Sequence, residues 1–308
     1  MLAFIIVGLT AMFIQTQKAF KTGIKQTTVT DAGRTIIDMI ASDLSQLSDP
    51  HFTNVSYPPA SFLTLGPSQG YVFSGPNPPN LYWSLTGMEL VQAITNNGLP
   101  TSRVNEVEDI FAMVQTNNTW LGIGYAVSNW FTNSGGGPFP GVCTLYRYVA
   151  TSNAPIFTTN LLCWGFTNAW NATNFHRVAD GVVHLKIYAF DADGNETANE
   201  PAYDSYQSTL ANQSNLTYLQ YPFIVNVTNP ATLLPEFNII NGTKFYVLQT
   251  NYLPHSIDIE LGILEPEAFE HARALYSAGA VAAAGQFLTN CAGQVEIFRQ
   301  HVLIPTAP

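Results

Sequence analysis

The chain has 308 residues, enough for one large domain or two small ones and for a substantial core. Its formal charge is −10 with only 10% charged residues, which leaves no electrostatic footprint for nucleic acid. Its 46% hydrophobic content excludes a disordered chain, and the wealth of Asn, Thr, Ser, Gly and Tyr suits an extracytoplasmic β-rich surface better than a cytosolic enzyme.

Residues 1–48 contain no proline, although 19 follow. Within 2–14 (LAFIIVGLTAMFI) there is no charge, and Thr10 is the one polar side chain. Polarity begins at Gln15, Gln17, Lys18 and Lys21. An apolar stripe then runs through Val29, Ala32, Ile36, Ile40, Leu44 and Leu47, whose gaps of three and four place them on one helix face. Asp49-Pro50 supplies the stop. The spacing predicts one helix whose first third suits hydrocarbon and whose last third suits the flank of a folded domain. Lys18, Lys21 and Lys25 sit where an anionic membrane surface would lie, or simply solvate a helix face. The run lacks the basic region and cleavage site of a signal peptide, and on its own falls short of the ~20 residues of a full span.

After Pro50, paired Pro and Gly residues punctuate short strands such as 61–65, 71–73 and 81–87. MELVQAI (88–94) reads as one or two helical turns, 105–116 and 119–128 as strands, and 133–140 as a hairpin tip. Strands are expected over 141–150, 160–166, 184–190, 243–250 and 256–264, with a polar surface excursion over 195–235. Pro266 opens a helix of about 20 residues with Glu265, Glu267 and Glu270 near its positive end. The stretch 295–305 is a last strand. Antiparallel strands after one long helix give an α+β fold with one helix near the C-terminus, divided as 1–48 and a head over 49–308.

Catalytic signals are sparse. Asp258 and Glu260 alternate on one strand and so share a face, the arrangement of a glycosidase acid–base pair, but also of any solvated strand. DADGNE (191–196) opens like a calcium loop yet lacks its distal glutamate, and an Asp-Gly hairpin turn accounts for it. No nucleophile elbow, phosphate loop, HExxH or CxxC is present, so no catalytic residue, cofactor or small-molecule substrate is expected. The cysteines lack zinc spacing and the histidines are dispersed, so no metal is expected either. Cys143 and Cys163 form a candidate disulfide or stand as two buried thiols. Eight Asn-x-Ser/Thr sequons, from Asn54 to Asn241, are glycosylation sites only if the source is eukaryotic and the protein secreted.

The greasy helix that turns amphipathic, followed by RTIIDMIASDLSQLSDP (34–50), LYRYVAT (145–151), VADGVVHLKIYAFDADGN (178–195) and LPHSIDIELGIL (253–264), resembles a type IV pilin-like minor pseudopilin of the J/W class. The family's basic leader, Gly-Phe junction and Thr-Leu-x-Glu stretch are missing, and Met1 falls just after the place of that glutamate. The resemblance implies a helix whose membrane half anchors the protein once in the inner membrane, with the head outside the cytoplasm. It implies that the amphipathic half lies across a twisted antiparallel sheet, followed by a second sheet or large insertion. It further implies a non-catalytic subunit at the tip of a type II secretion or pilus-like filament, with other minor and major pseudopilins and inner-membrane lipid as partners. The packing positions are then Leu2, Phe4, Ile5, Ile6, Leu9, Phe13, Phe20 and Ile24. A second reading is a surface-anchored or secreted carbohydrate-binding module that stacks sugars on Tyr82, Trp83, Trp120, Trp130, Trp164 and Trp170. A glycosidase that uses Asp258 is a third.

Overall fold

The computed structural model describes residues 2–48, 63–65, 71–73, 81–96, 99–116, 119–128, 142–152, 166, 174–196, 236–240, 243–248 and 253–305. Helix α1 (Leu2–Leu44) is continuous for 43 residues, about 65 Å at the α-helical rise. Its threonines do not disturb it, because Thr10, Thr16, Thr27 and Thr35 each donate their hydroxyl to the carbonyl four residues earlier. The helix stops before the expected Asp49-Pro50. Leu47 bridges to Val114, and the Ser48 N–H donates to the Met113 carbonyl at 3.2 Å.

Among the described residues eleven strands follow: β1 (Leu63–Leu65), β2 (Tyr71–Phe73), β3 (Leu81–Asn96), β4 (Leu99–Thr116), β5 (Thr119–Ser128), β6 (Cys143–Ser152), β7 (Phe175–Phe190), β8 (Glu236–Ile240), β9 (Thr243–Leu248), β10 (Ser256–Leu264) and β11 (Val295–Leu303). Between the last two come helices α2 (Pro266–Ser277) and α3 (Val281–Asn290). Nine strands form one sheet in the order β11-β10-β7-β6-β5-β4-β3-β9-β8, and β1 and β2 pair as a separate ribbon.

The fold-class expectation is corrected in three respects. The molecule is sheet-dominated, and among the described residues the anticipated second sheet is only the β1–β2 ribbon. The single C-terminal-region helix is two short ones, because Gly279 takes φ +79° after α2. There the Gly279 N–H returns to the Tyr276 carbonyl and the Ala280 N–H to the Leu275 carbonyl, a closure that needs a left-handed residue. Finally, the membrane half expected of α1 is corrected: no helix among the described residues is long and apolar enough to cross a membrane. The 13 residues over 2–14 cover only about 20 Å, against roughly 30 Å of hydrocarbon. Single-pass anchoring in the inner membrane is therefore corrected as well. The expected helical turns at 88–94 are strand instead, lying in β3 and paired with β4 from Glu89↔Glu106 to Asn96↔Leu99.

The sheet is covered by α1 through Val29, Ile36, Ile37, Ile40, Ala41, Leu44 and Leu47. These join sheet residues such as Ile110, Leu185, Ile187, Ile257, Ile259, Leu261 and Phe298 in one core. A second core places Ala268, Ala272, Ala284 and Leu288 of the α2–α3 hairpin against Leu90, Val183 and Leu264.

Candidate functional site

Two features stand out: the part of α1 that leaves the sheet, and a fork in the sheet. Along α1 the first buried side chain among those described is Val29. Before it, Ile6, Val7, Leu9, Met12, Phe13, Ile14, Phe20 and Ile24 are all large, apolar and exposed, from 54% for Ile6 to 71% for Phe20. At 100° per residue, Ile6, Leu9, Phe13, Phe20 and Ile24 follow one side, Val7 and Ile14 another, and Met12 a third. The segment is thus apolar nearly all round over 6–14, the pattern of a helix buried on every side. Thr10 does not interrupt it, since its hydroxyl is spent on the Ile6 carbonyl at 2.8 Å. Leu2, Phe4 and Ile5 lie in the helix, but their side chains fall outside the described residues.

The docked half is held differently. Val29, Ile36, Ile40, Leu44 and Leu47 are buried, whereas Ala32 is exposed and Gly33 faces the sheet in its place. A Cβ at Gly33 would lie 2.1 Å from the Phe298 ring, so the glycine is what lets helix and sheet meet there. Asp43 lies in the last turn of the helix, 7% exposed, and accepts both Nε and Nη2 of Arg147 at 2.8 and 2.9 Å as well as the Tyr125 hydroxyl. Burial, with the Asp43 carboxylate beside it, pushes the Tyr125 hydroxyl far above its ordinary range. At the other end of the docked half, the Thr30 hydroxyl donates to Glu296 at 2.8 Å. Gly33, Ile37, Ala41 and Asp43 escaped the sequence reading, though the three-four spacing of Gly33, Ile37, Ile40 and Leu44 carries part of the signal.

The fork arises from strand lengths. β6 pairs with β7 only as far as Cys143↔Val182, and β4 pairs with β5 only from Ile110↔Tyr125 onward. Earlier β4 and later β7 therefore face each other across the gap, joined in parallel at Val107↔Leu185. Side chains serve the backbone donors there. The Glu106 N–H donates to His184 Nδ1 at 3.1 Å, and the Ile187 N–H donates to Glu108 Oε2 at 2.8 Å. Asp109 does the same at the mouth, accepting the Val127 N–H at 3.3 Å. Because Nδ1 accepts, Nε2 carries the proton and faces Glu260 Oε2 at 3.3 Å. Around them Lys186 pairs with Glu106 at 2.6 Å and Arg299 with Glu260 at 2.8 Å. Burial pushes Glu108 up to about 8 and holds His184 below its ordinary value.

The other candidates fall into place around these. Asp258 faces His301 at 2.5 Å and Glu260 faces Arg299, so both carboxylates are engaged in pairs across β10 and β11. Asp191 accepts the N–H groups of Asp193 and Asn195, which with Gly194 at φ +78° makes a tight turn. Among the described residues no cluster of three His, Cys, Asp or Glu could hold a metal. Trp83 and Trp120 are buried at 1% and 8% exposure and offer no face to a sugar. Trp130, Trp164 and Trp170 and the Tyr82 side chain lie outside the described residues, as does Cys163, the candidate disulfide partner of buried Cys143.

No known protein family, curated protein or solved structure matches the chain.

Proposed function

We propose that the protein is a structural subunit that assembles with other subunits through the projecting part of α1, in the manner of the pilin-like minor pseudopilins its sequence resembles. The observation that supports this reading is the exposed apolar surface from Ile6 to Ile24 on a helix whose other half is tied to the sheet. Isolated apolar residues are ordinary on a surface, but a contiguous cylinder of them marks an interaction site. Because the apolar residues point in several directions, one partner helix leaves part of the surface bare, so several helices surround it. Between such helices, shape and close packing decide the association. The head has no part in chemistry on this reading; it is what the filament carries.

Leu9→Lys and Phe13→Lys place a charge in that surface without touching the head. Each is expected to abolish co-purification with pseudopilin partners and to leave the urea midpoint of the head unchanged. Normal partner recovery in both variants overturns the proposal.

A further inference from the structure

The fork carries more than the shape of the sheet. Its clasp is reciprocal, since a β7 side chain holds a β4 amide while a β4 side chain holds a β7 amide, on either side of the one Val107↔Leu185 bridge. Both side chains are titratable, and both are buried, Glu108 at 4% and His184 at 7% exposure. We propose that this clasp is a pH-gated latch, closed when Glu108 and His184 are both neutral and loosened when either becomes charged. It joins the part of the sheet that carries β3, β4 and the α2–α3 hairpin to the part, β7-β10-β11, on which α1 rests.

The chemistry differs on the two sides. A neutral imidazole has one acceptor nitrogen, and here Nδ1 spends it on the Glu106 N–H. Protonation turns that nitrogen into a donor aimed at a donor. Glu108 can accept the Ile187 N–H in either state, but as a carboxylate it becomes a buried charge. The charged and titratable groups around it are Glu106 on its own strand, Lys186 and Tyr188 on β7, and Glu196 beyond β7. Lys186 draws Glu108 toward ionisation while Glu106 and Glu196 oppose it. Lys186 is itself committed to Glu106. Around His184 stand Glu260, Lys186 and Glu106, with Arg299 holding the far oxygen of Glu260.

The signs follow from linkage. Glu108 holds its proton more tightly in the closed form, so its contribution is full in acid and is lost as pH rises through about 8. His184 binds its proton less tightly in the closed form, so its contribution is lost as pH falls below roughly 6.5. The closed fork is therefore near its most stable in mildly acidic solution and weakens across neutrality.

Amide hydrogen exchange, corrected for intrinsic rates, reads the latch directly at Ile187 and Glu106, with Ile259 as the reference in the neighbouring strand. The opening constant at Ile187 is expected to rise roughly tenfold between pH 6.5 and 8.5, a single-proton dependence offset in part by His184. Glu108→Gln keeps an acceptor without a charge and should hold that change to within about twofold. His184→Asn keeps an acceptor near the Nδ1 position and should let protection go on increasing as pH falls below 6.5. Ile187 opening that does not vary with pH in the natural protein overturns the proposal, as does a tenfold rise retained in Glu108→Gln. Should Glu108→Gln fail to fold, carboxyl carbon chemical shifts of the natural protein decide. Titration of Glu108 above pH 7 supports the latch, and titration near pH 4.5 overturns it.

Discussion

The two halves of α1 are one uninterrupted helix of similar apolar content with opposite surroundings. From Val29 onward the apolar side chains, except exposed Ala32 and half-buried Met39, are buried in the core that α1 shares with the sheet; from Ile6 to Ile24 the same kinds of residue stand open. The difference lies in pattern. In the docked half, exposed Asp31, Arg34, Thr35 and Asp38 separate the buried positions, and the helix has one greasy side. In the projecting half, residues 6–14 have no such separation and no single side. A one-sided helix needs one partner, and its own sheet suffices; a helix apolar all round needs several, and the large apolar side chains from Ile6 to Ile14 stay exposed. What a helix packs against is thus decided by how its polar residues are spaced.

That contrast can be broken from the docked side. Ile40 is fully buried, and Ile40→Ala is expected to cost about 3–4 kcal/mol, read as a lower urea midpoint at an unchanged slope. A loss below about 1 kcal/mol would mean that α1 does not rest on the sheet. A subtler probe is Gly33→Val, which forces a branched side chain into the space of the Phe298 ring. About 1–3 kcal/mol should be lost, and Phe298→Ala in the same chain should restore part of it. From the projecting side, Phe13→Ser should leave the midpoint within about 0.5 kcal/mol, because the side chain is exposed. A larger loss would show that residues 6–24 fold back onto the head, and the contrast between the halves would disappear.

How much of this could be read from the sequence depends on range. The stripe at Val29, Ile36, Ile40, Leu44 and Leu47 is local, and periodicity finds it; the same reading placed Ala32 on the stripe because it weighs hydrophobicity and cannot see that Gly33 admits a ring. MELVQAI has strand and helix periods superimposed, and only its pairing with 99–106 settles it as strand. The break at Gly279 was legible in principle, but the alanines around it argue for a continuous helix. The apolar run at 2–14 suits hydrocarbon in composition, but only the resemblance implies an anchor, and the length of the run falls short of a span. The fork was out of reach altogether. Glu108 and His184 lie 76 positions apart, and nothing near either shows that β6 ends at Cys143 and leaves two strand edges open. Asp258 and Glu260, whose alternation fits a catalytic pair or a solvated strand face, each face a cross-strand partner, His301 and Arg299, that local spacing does not show.

The ties at the lower end of α1 bear on mechanics. Asp43 grips Arg147 and Tyr125, while Leu47 and Ser48 join Val114 and Met113, so the helix ends against strands β4, β5 and β6 in the middle of the sheet. A tension applied along the axis at the far end of the helix is then carried through the line of packed side chains to an ion pair in the middle of the sheet. The rod is rooted in its head as a tang is in a handle.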